Sequence, residues 1–269
     1  MDASDEAFDR LTTFVEDELS FATSHYNDSY LERRFSSRMR RTGSDDYDGY
    51  LSLLRSDDGE RRALLDALSI NVTSFFRDEG VWERLRPILR DLTADRSGAD
   101  VWSAPCSDGR EPYSLAMLAR DDPDVRADRL DVLGTDIDEE ALATARKGVY
   151  ESSETEDLSE QLDLLDDYTR YVDREDDRYV VRETVRDLVS FEQHDLINDP
   201  AKRGFDLVFC RNFFIYVDSE FKDPVLETIE ASMRDGGYLV LGKTETMPYD
   251  RKGDVFEPVD NDFRIYRKQ

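Results

Sequence analysis

One glycine, Gly109, sits between Asp108 and the Arg110-Glu111 pair inside VWSAPCSDGREPYSLAMLAR at 101–120, and RLDVLGTDID follows at 129–138. The spacing predicts a buried strand, a turn on Gly109, a helix starting near Glu111, and a second strand ending on Asp136. In an open α/β sheet such a unit forms a cofactor site. Ligands bind beyond the strand C-termini, the turn lets the backbone approach them, and an acid at the second strand end grips a ribose. The side chains discriminate among cofactors. A dinucleotide fingerprint carries three glycines, whereas this turn has Gly109 alone, and Glu111 would repel a pyrophosphate. A carboxylate suits the ammonium of an amino-acid moiety, and Asp136 suits a ribose diol. Those two contacts together describe S-adenosylmethionine. Taken singly, Asp136 also serves as an N-cap for the segment starting at Ile137, and Glu111 as a first-turn acid favoured by the helix dipole.

The elements that must position these residues alternate from residue 99 onward. Strands are predicted at 99–105, 129–136, 189–194, 205–211 and 237–243, with a final pair within 255–267; helices at 111–121, 138–147 and 219–234 lie between them. The alternation predicts a mostly parallel sheet covered on both faces. Its ligand edge would carry Gly109, Glu111 and Asp136, then Asp195, Leu196, Asn212 and Phe213. Before it, residues 1–93 read as a small helical domain, with stripes such as Phe8, Leu11, Val15 and Leu19 at helical spacing and TADRSG at 93–98 as the linker. The expected domains are therefore 1–93 and 99–269.

Composition limits the function classes. The 269 residues hold 63 acids against 36 bases, a net charge of −27. Such a chain repels itself at low ionic strength, which points to a halophilic cytoplasm where salt screens the charge. A hydrophobic content of 39% with clear periodicity argues against disorder. Nucleic acid is disfavoured as a partner because phosphate binding needs a broad basic footprint. The N-terminus MDASDEAFDR lacks a basic and apolar leader, and no apolar run approaches membrane-spanning length. A cytoplasmic location without membrane insertion is the expectation. Cys106 and Cys210 have no CxxC spacing and only His25 and His194 for company, so no metal site is expected and the thiols read as buried and reduced.

Two stretches of the helical region stand out. RRFSSRMRR at 33–41 carries five arginines and no acid, and a helix puts Arg34, Arg38 and Arg41 on one face. That face is either paired with the chain's own acids or a docking surface for an acidic protein helix. In SINVTSFFRDEGVWERL at 69–85, Asn71, Thr73 and Arg77 thread through Val72, Phe75 and Phe76. Thr73 or Asp78 serves as a helix cap on one reading; on the other, Arg77 pairs with a carboxylate of a cofactor or substrate.

INVTSFFRD, VWSAPCSDGREPYSLA, LGTDIDEEALATARKGVY, FDLVFCRNFFIYVD and DGGYLVLGKTE together resemble, in order, the motifs of the chemotaxis receptor methyltransferases, the CheR family. The resemblance covers nearly the whole chain. It implies a Rossmann-like class I S-adenosylmethionine methyltransferase sheet preceded by an all-helical domain, and a small β-subdomain insertion at about 151–190. It implies methyl transfer to glutamate side chains on the cytoplasmic helices of chemoreceptors, giving glutamyl methyl esters and S-adenosylhomocysteine. Cofactor contacts would be Asn71, Thr73, Arg77, Glu111, Asp136, Asp195, Leu196, Asn212 and Phe213; Arg34, Arg38 and Arg41 would dock the receptor. A glutamate carboxylate is already an anion at neutral pH, with a reference pKa of about 4.3, so no general base is needed and positioning suffices. Arg77 or Tyr216 would orient the incoming carboxylate. Three departures mark this sequence: Arg110 where the family has an acid or amide, Lys243 where it has His, and a glycine-free acidic loop, DREDD at 173–177, in the insertion. The last predicts recognition without a receptor C-terminal pentapeptide tether. A monomer is expected. The alternatives are a methyltransferase acting on another acidic protein or a small carboxylate, and a non-catalytic S-adenosylmethionine sensor.

Overall fold

The computed structural model describes residues 3–19, 21–68, 73–94, 98–153, 156–248 and 251–269. They form two compact units, Met1–Ile70 with Phe214–Lys222, and Asn71–Phe213 with Asp223–Gln269. The first unit holds α1 (Ala3–Leu19), α2 (Asp28–Thr42), α3 (Tyr47–Ser56) and α4 (Asp58–Leu68). Its core is the set that the periodicity marks, including Leu11, Val15, Leu31, Phe35, Tyr50, Leu54, Leu64 and Leu68. Asn27 starts α2 by accepting the Tyr30 amide at 3.0 Å, and Gly43 ends it in the left-handed region that glycine reaches without a Cβ penalty.

Residues 214–222 join this unit through an antiparallel bridge of Val217 to Tyr26. Both the amide and the side-chain nitrogen of Asn27 donate to the Tyr216 carbonyl, at 3.2 and 3.0 Å. The Tyr216 ring lies 5.0 Å from that of Tyr30.

The second unit begins with α5 (Gly80–Ala94), which the helical run of 1–93 had placed with the first domain. Its partners decide otherwise. Trp82 stacks on Phe209 at 5.8 Å, and Arg86 and Arg90 pair with Asp121 and Asp122 at 3.2 and 3.0 Å. Amphipathic spacing says that a face is buried, not against what.

The chain continues as β1 (Ala99–Ser103), α6 (Arg110–Asp121), β2 (Leu130–Asp136), α7 (Glu139–Lys147), β3 (Val149–Glu151), α8 (Leu158–Gln161), β4 (Val172–Glu175), β5 (Arg178–Val181), α9 (Glu183–Arg186), β6 (Val189–Gln193), β7 (Phe205–Cys210), α10 (Lys222–Ser232), β8 (Met233–Leu241), β9 (Phe256–Asp260) and β10 (Ile265–Lys268). A seven-stranded sheet has the order β6-β2-β1-β7-β8-β10-β9. All pairings are parallel except those of β10 with β8 and β9. This is the Rossmann-like class I methyltransferase order, and its reversal between β2 and β7 leaves the crevice beyond β1 open to a ligand. β1 and β7 are buried along nearly their whole length, each with one partly buried acid, Asp100 and Asp206, among its apolar residues.

The insertion carries a second sheet of three strands, β3-β5-β4. β4 and β5 form a hairpin around the acidic loop and turn at Asp176, whose φ is 55°, so an acid takes the left-handed position that glycine usually fills. β3 adds a third strand that the sequence did not announce, and Glu183–Arg186 after β5 form α9. Among the described residues no helix is long and apolar enough to cross a membrane.

Candidate active site

At the end of β1 the chain turns through Ala104, Pro105, Cys106 and Ser107 to Gly109, the residue before α6. Gly109 has φ 89°, and a Cβ there would stand 2.7 Å from Cβ of Ala145 and 2.9 Å from the Phe191 ring. Close packing of protein against protein at this turn is by itself enough to require the glycine.

Two carboxylates stand at adjacent strand ends. Asp136 closes β2 with a relative exposure of 6%, its Oδ2 accepting the Ser107 amide at 2.7 Å and its Oδ1 the Asp138 amide at 3.0 Å. Burial pushes its carboxyl up to about 6, against the pull of those two amides, and the neighbouring charge of Asp138 adds to the rise. The N-cap role belongs to Asp138, which accepts the Glu140 and Ala141 amides at the start of α7. Glu111, in the first turn of α6, accepts Ser103 Oγ at 2.8 Å and Arg211 Nη1 at 3.0 Å. Each carboxylate keeps acceptor capacity beyond these partners.

Arg211, immediately after β7, is buried and central. Its Nη2 donates to Asp78 Oδ2 at 2.7 Å and to the Arg77 carbonyl at 3.0 Å, and its guanidinium lies over the Trp82 ring at 5.8 Å. Phe76 and Asp78 on either side of Arg77 have φ of 49° and 58°, left-handed values costly for residues with a Cβ. Arg211 therefore ties this strained loop to Glu111 at the start of α6. The adjoining cavity, about 160 Å³, is lined by Asp78, Val81, Arg211, Leu241, Lys243 and Phe263, which places Lys243 at its exposed rim.

The other predicted site residues fall as follows. The Thr73 carbonyl accepts Arg110 Nη1 at 3.3 Å. Arg110 also pairs with Asp108 at 3.2 Å and with Glu156 of the insertion, and lies over the Tyr150 ring at 5.3 Å, so this departure from the family pattern ties the loop before α5 to the insertion. Asp195 closes its own turn, accepting the Ile197 and Asn198 amides at 2.8 and 3.2 Å, and Leu196 beside it is buried. Asn212 has φ 60° and leads into buried Phe213. Asn71 lies outside the described residues. Tyr216 belongs to the helical unit with the rest of 214–222. Both cysteines are buried, free thiols whose ionisation burial pushes up.

Residues 71–264 match the family described as "CheR methyltransferase, SAM binding domain", and residues 6–69 match "CheR methyltransferase, all-alpha domain". The chain belongs to the CheR methyltransferase family. Relatives in the family include the "Chemotaxis protein methyltransferase" of Listeria monocytogenes, 34% identical over 236 residues covering 87% of each chain. That of Escherichia coli is 31% identical over 254 residues, covering 91% of this chain and 86% of the relative. The cofactor of this CheR-family chain is S-adenosylmethionine. The donor set fits it: acceptors at adjacent strand ends, Glu111 and Asp136, match an ammonium and a diol, whereas a pyrophosphate would meet two acids.

In the arginine-rich α2 the expected docking face is only partly available. Arg38 makes a two-pronged pair with Glu60 at 2.9 and 2.5 Å, and Tyr50 donates to the same carboxylate at 2.7 Å. With 14% of the Arg38 side chain exposed, this cation is neutralised inside its own unit. Arg34 lies over the Tyr30 ring at 5.1 Å, and Arg41 is exposed. Sequence reasoning missed Arg211 and read Asp78 only as a helix cap. A cation ending an apolar strand, as in FCRN, was the available signal for the first.

Proposed function

We propose that this chain transfers the methyl group of S-adenosylmethionine to glutamate side chains of chemoreceptors, forming glutamyl methyl esters and S-adenosylhomocysteine. The observation that carries the reading is the pairing of a CheR all-alpha domain with a CheR S-adenosylmethionine-binding domain in one chain, over nearly its full length. When bound, the cofactor supplies a methyl group already activated by its positive sulfur. The chain's own residues bind, orient and exclude water. Glu111 takes the ammonium and Asp136 the ribose hydroxyls; Asn71, Thr73, Asp195, Leu196, Asn212 and Phe213 complete the contacts. Arg77 meets the incoming carboxylate, with Tyr216 as the second candidate for that task. Positioning of this kind accounts for as much as about 7–11 kcal/mol of barrier, so no His, Ser or Cys nucleophile is needed.

Receptor docking falls to Arg34 and Arg41 on α2, without Arg38. Opposite charges at such a surface steer association more than they add affinity. The glycine-free turn at Asp176 supports recognition that does not depend on a C-terminal receptor peptide. The net charge of −27 supports work as a monomer in a salt-rich cytoplasm. The test is tritiated methyl transfer to a purified receptor cytoplasmic fragment in high salt. Label released by base marks an ester, and label on small carboxylates but not on the receptor refutes the substrate assignment. Arg77→Ala is expected to lower kcat at least tenfold, and full turnover removes Arg77 from the site.

A further inference from the structure

We propose that Glu245, in the turn after β8, is a positioning residue for the cofactor edge: its carboxylate takes the place of the next backbone carbonyl of the β7–β8 ladder and fixes Asn212. The inference rests on the reading that Asn212 and Phe213 contact S-adenosylmethionine. The ladder between β7 and β8 ends at the pair Cys210 and Leu241. Beyond it two backbone amides would be left without acceptors in a buried place. Both instead donate to one atom, Oε2 of Glu245, from Gly242 at 2.5 Å and from Asn212 at 2.9 Å. Glu245 has a relative exposure of 3%, and its own amide closes the turn onto the Gly242 carbonyl at 2.9 Å.

Glycine at 242 is part of the device. A Cβ there would come within 2.6 Å of Oε2 and 2.8 Å of the Asn212 nitrogen, so a side chain would evict the carboxylate. The staple holds Asn212 at φ 60°, the left-handed conformation that sends the chain from β7 into buried Phe213. Without it Asn212 is free to relax toward the commoner negative φ, carrying its side chain away from the strand end. Neither the mechanism nor the resemblance gives this acid a task.

Both amides donate to the one oxygen Oε2, and the side-chain oxygen of a glutamine can accept them in the same place. The experiment is S-adenosylhomocysteine binding by calorimetry, on protein shown to be folded by circular dichroism, for Glu245→Gln, Glu245→Ala, Gly242→Ala and Asn212→Ala. The glutamine variant is expected to bind within about threefold of the parent, and the other three at least about tenfold more weakly. A purely structural role would lower the melting temperature of Glu245→Ala and leave the affinity of the folded protein unchanged. That result overturns the inference, as does Glu245→Gln losing as much as Glu245→Ala. Unchanged binding by Asn212→Ala instead removes the parent reading of Asn212, and the inference falls with it.

Discussion

The Asp136 carboxyl yields a prediction with a sign. Burial raises it from an ordinary 3.8 to about 6, so the folded chain holds this proton more tightly than the unfolded chain does. The cost of ionising it in the fold is absent below the unfolded value, grows between the two values, and is constant above the upper one. At about 1.4 kcal/mol per unit the full cost is about 3 kcal/mol. Asp136→Asn escapes it, but turns an NH2 toward one of the two backbone amides that the carboxylate accepts, from Ser107 and Asp138. That mismatch costs about 1–3 kcal/mol at every pH. The change with pH is therefore the clean quantity. Linkage puts the ionisation cost at about 1.6 kcal/mol near about pH 5 and about 3 kcal/mol near about pH 7.5, so the variant gains about 1.4 kcal/mol on the parent over that interval. For a chain of this size the gain is about 3–6 °C in relative melting temperature. Thermal unfolding followed by circular dichroism in high KCl, both proteins at both pH values, measures it. A difference between them that stays constant with pH, or moves the other way, refutes the reasoning. On the proposal that the ribose hydroxyls donate to the ionised form, S-adenosylhomocysteine affinity of the parent should weaken on acidification through about pH 6, the folded value.

Arg38→Met leaves the buried Glu60 carboxylate with the Tyr50 hydroxyl donating to it and no cation, and should cost about 3–5 kcal/mol, read as a large drop in melting temperature. A surface docking residue would leave stability unchanged. Arg110→Ala cuts the ties to Glu156 and the Thr73 carbonyl, so hydrogen exchange should quicken around residues 156–161 while the core strands keep their protection. Unfolding from low to molar KCl should show a rising midpoint, since screening relieves the repulsion of a −27 chain; a salt-independent midpoint would sink the halophilic reading.

The strand ends were legible because mostly apolar parallel strands announce themselves and the ligand edge follows their C-termini, which pointed to Asp136 at the end of β2 and to Glu111 just past the turn after β1. Pairing was not legible. Arg211 meets Glu111 and Asp78 at sequence separations of 100 and 133, and no local period encodes which of 63 acids a cation will find. The same blindness made Arg38 look like a free face when Glu60, 22 residues on, had claimed it. Gly109 was legible as a turn, but its packing against Ala145 and Phe191 was not, since those residues arrive from elements that the local sequence does not contain. Asn212 and Gly242 gave no hint of a shared carboxylate, because a side chain substituting for a ladder rung has no composition cue.

The excursion of residues 214–222 bears on how the molecule is made. Four helices leave the ribosome first, but their unit includes a nine-residue segment synthesised about 150 residues later, a delay of about 8–30 s at ordinary elongation rates. Until Val217 reaches Tyr26 and Tyr216 reaches Asn27, the nascent helices wait with that edge unmatched. A gene fragment ending at residue 70 encodes an unfinished module, and one starting at residue 71 carries a strip of it as cargo, so no single cut in the reading frame separates the two units.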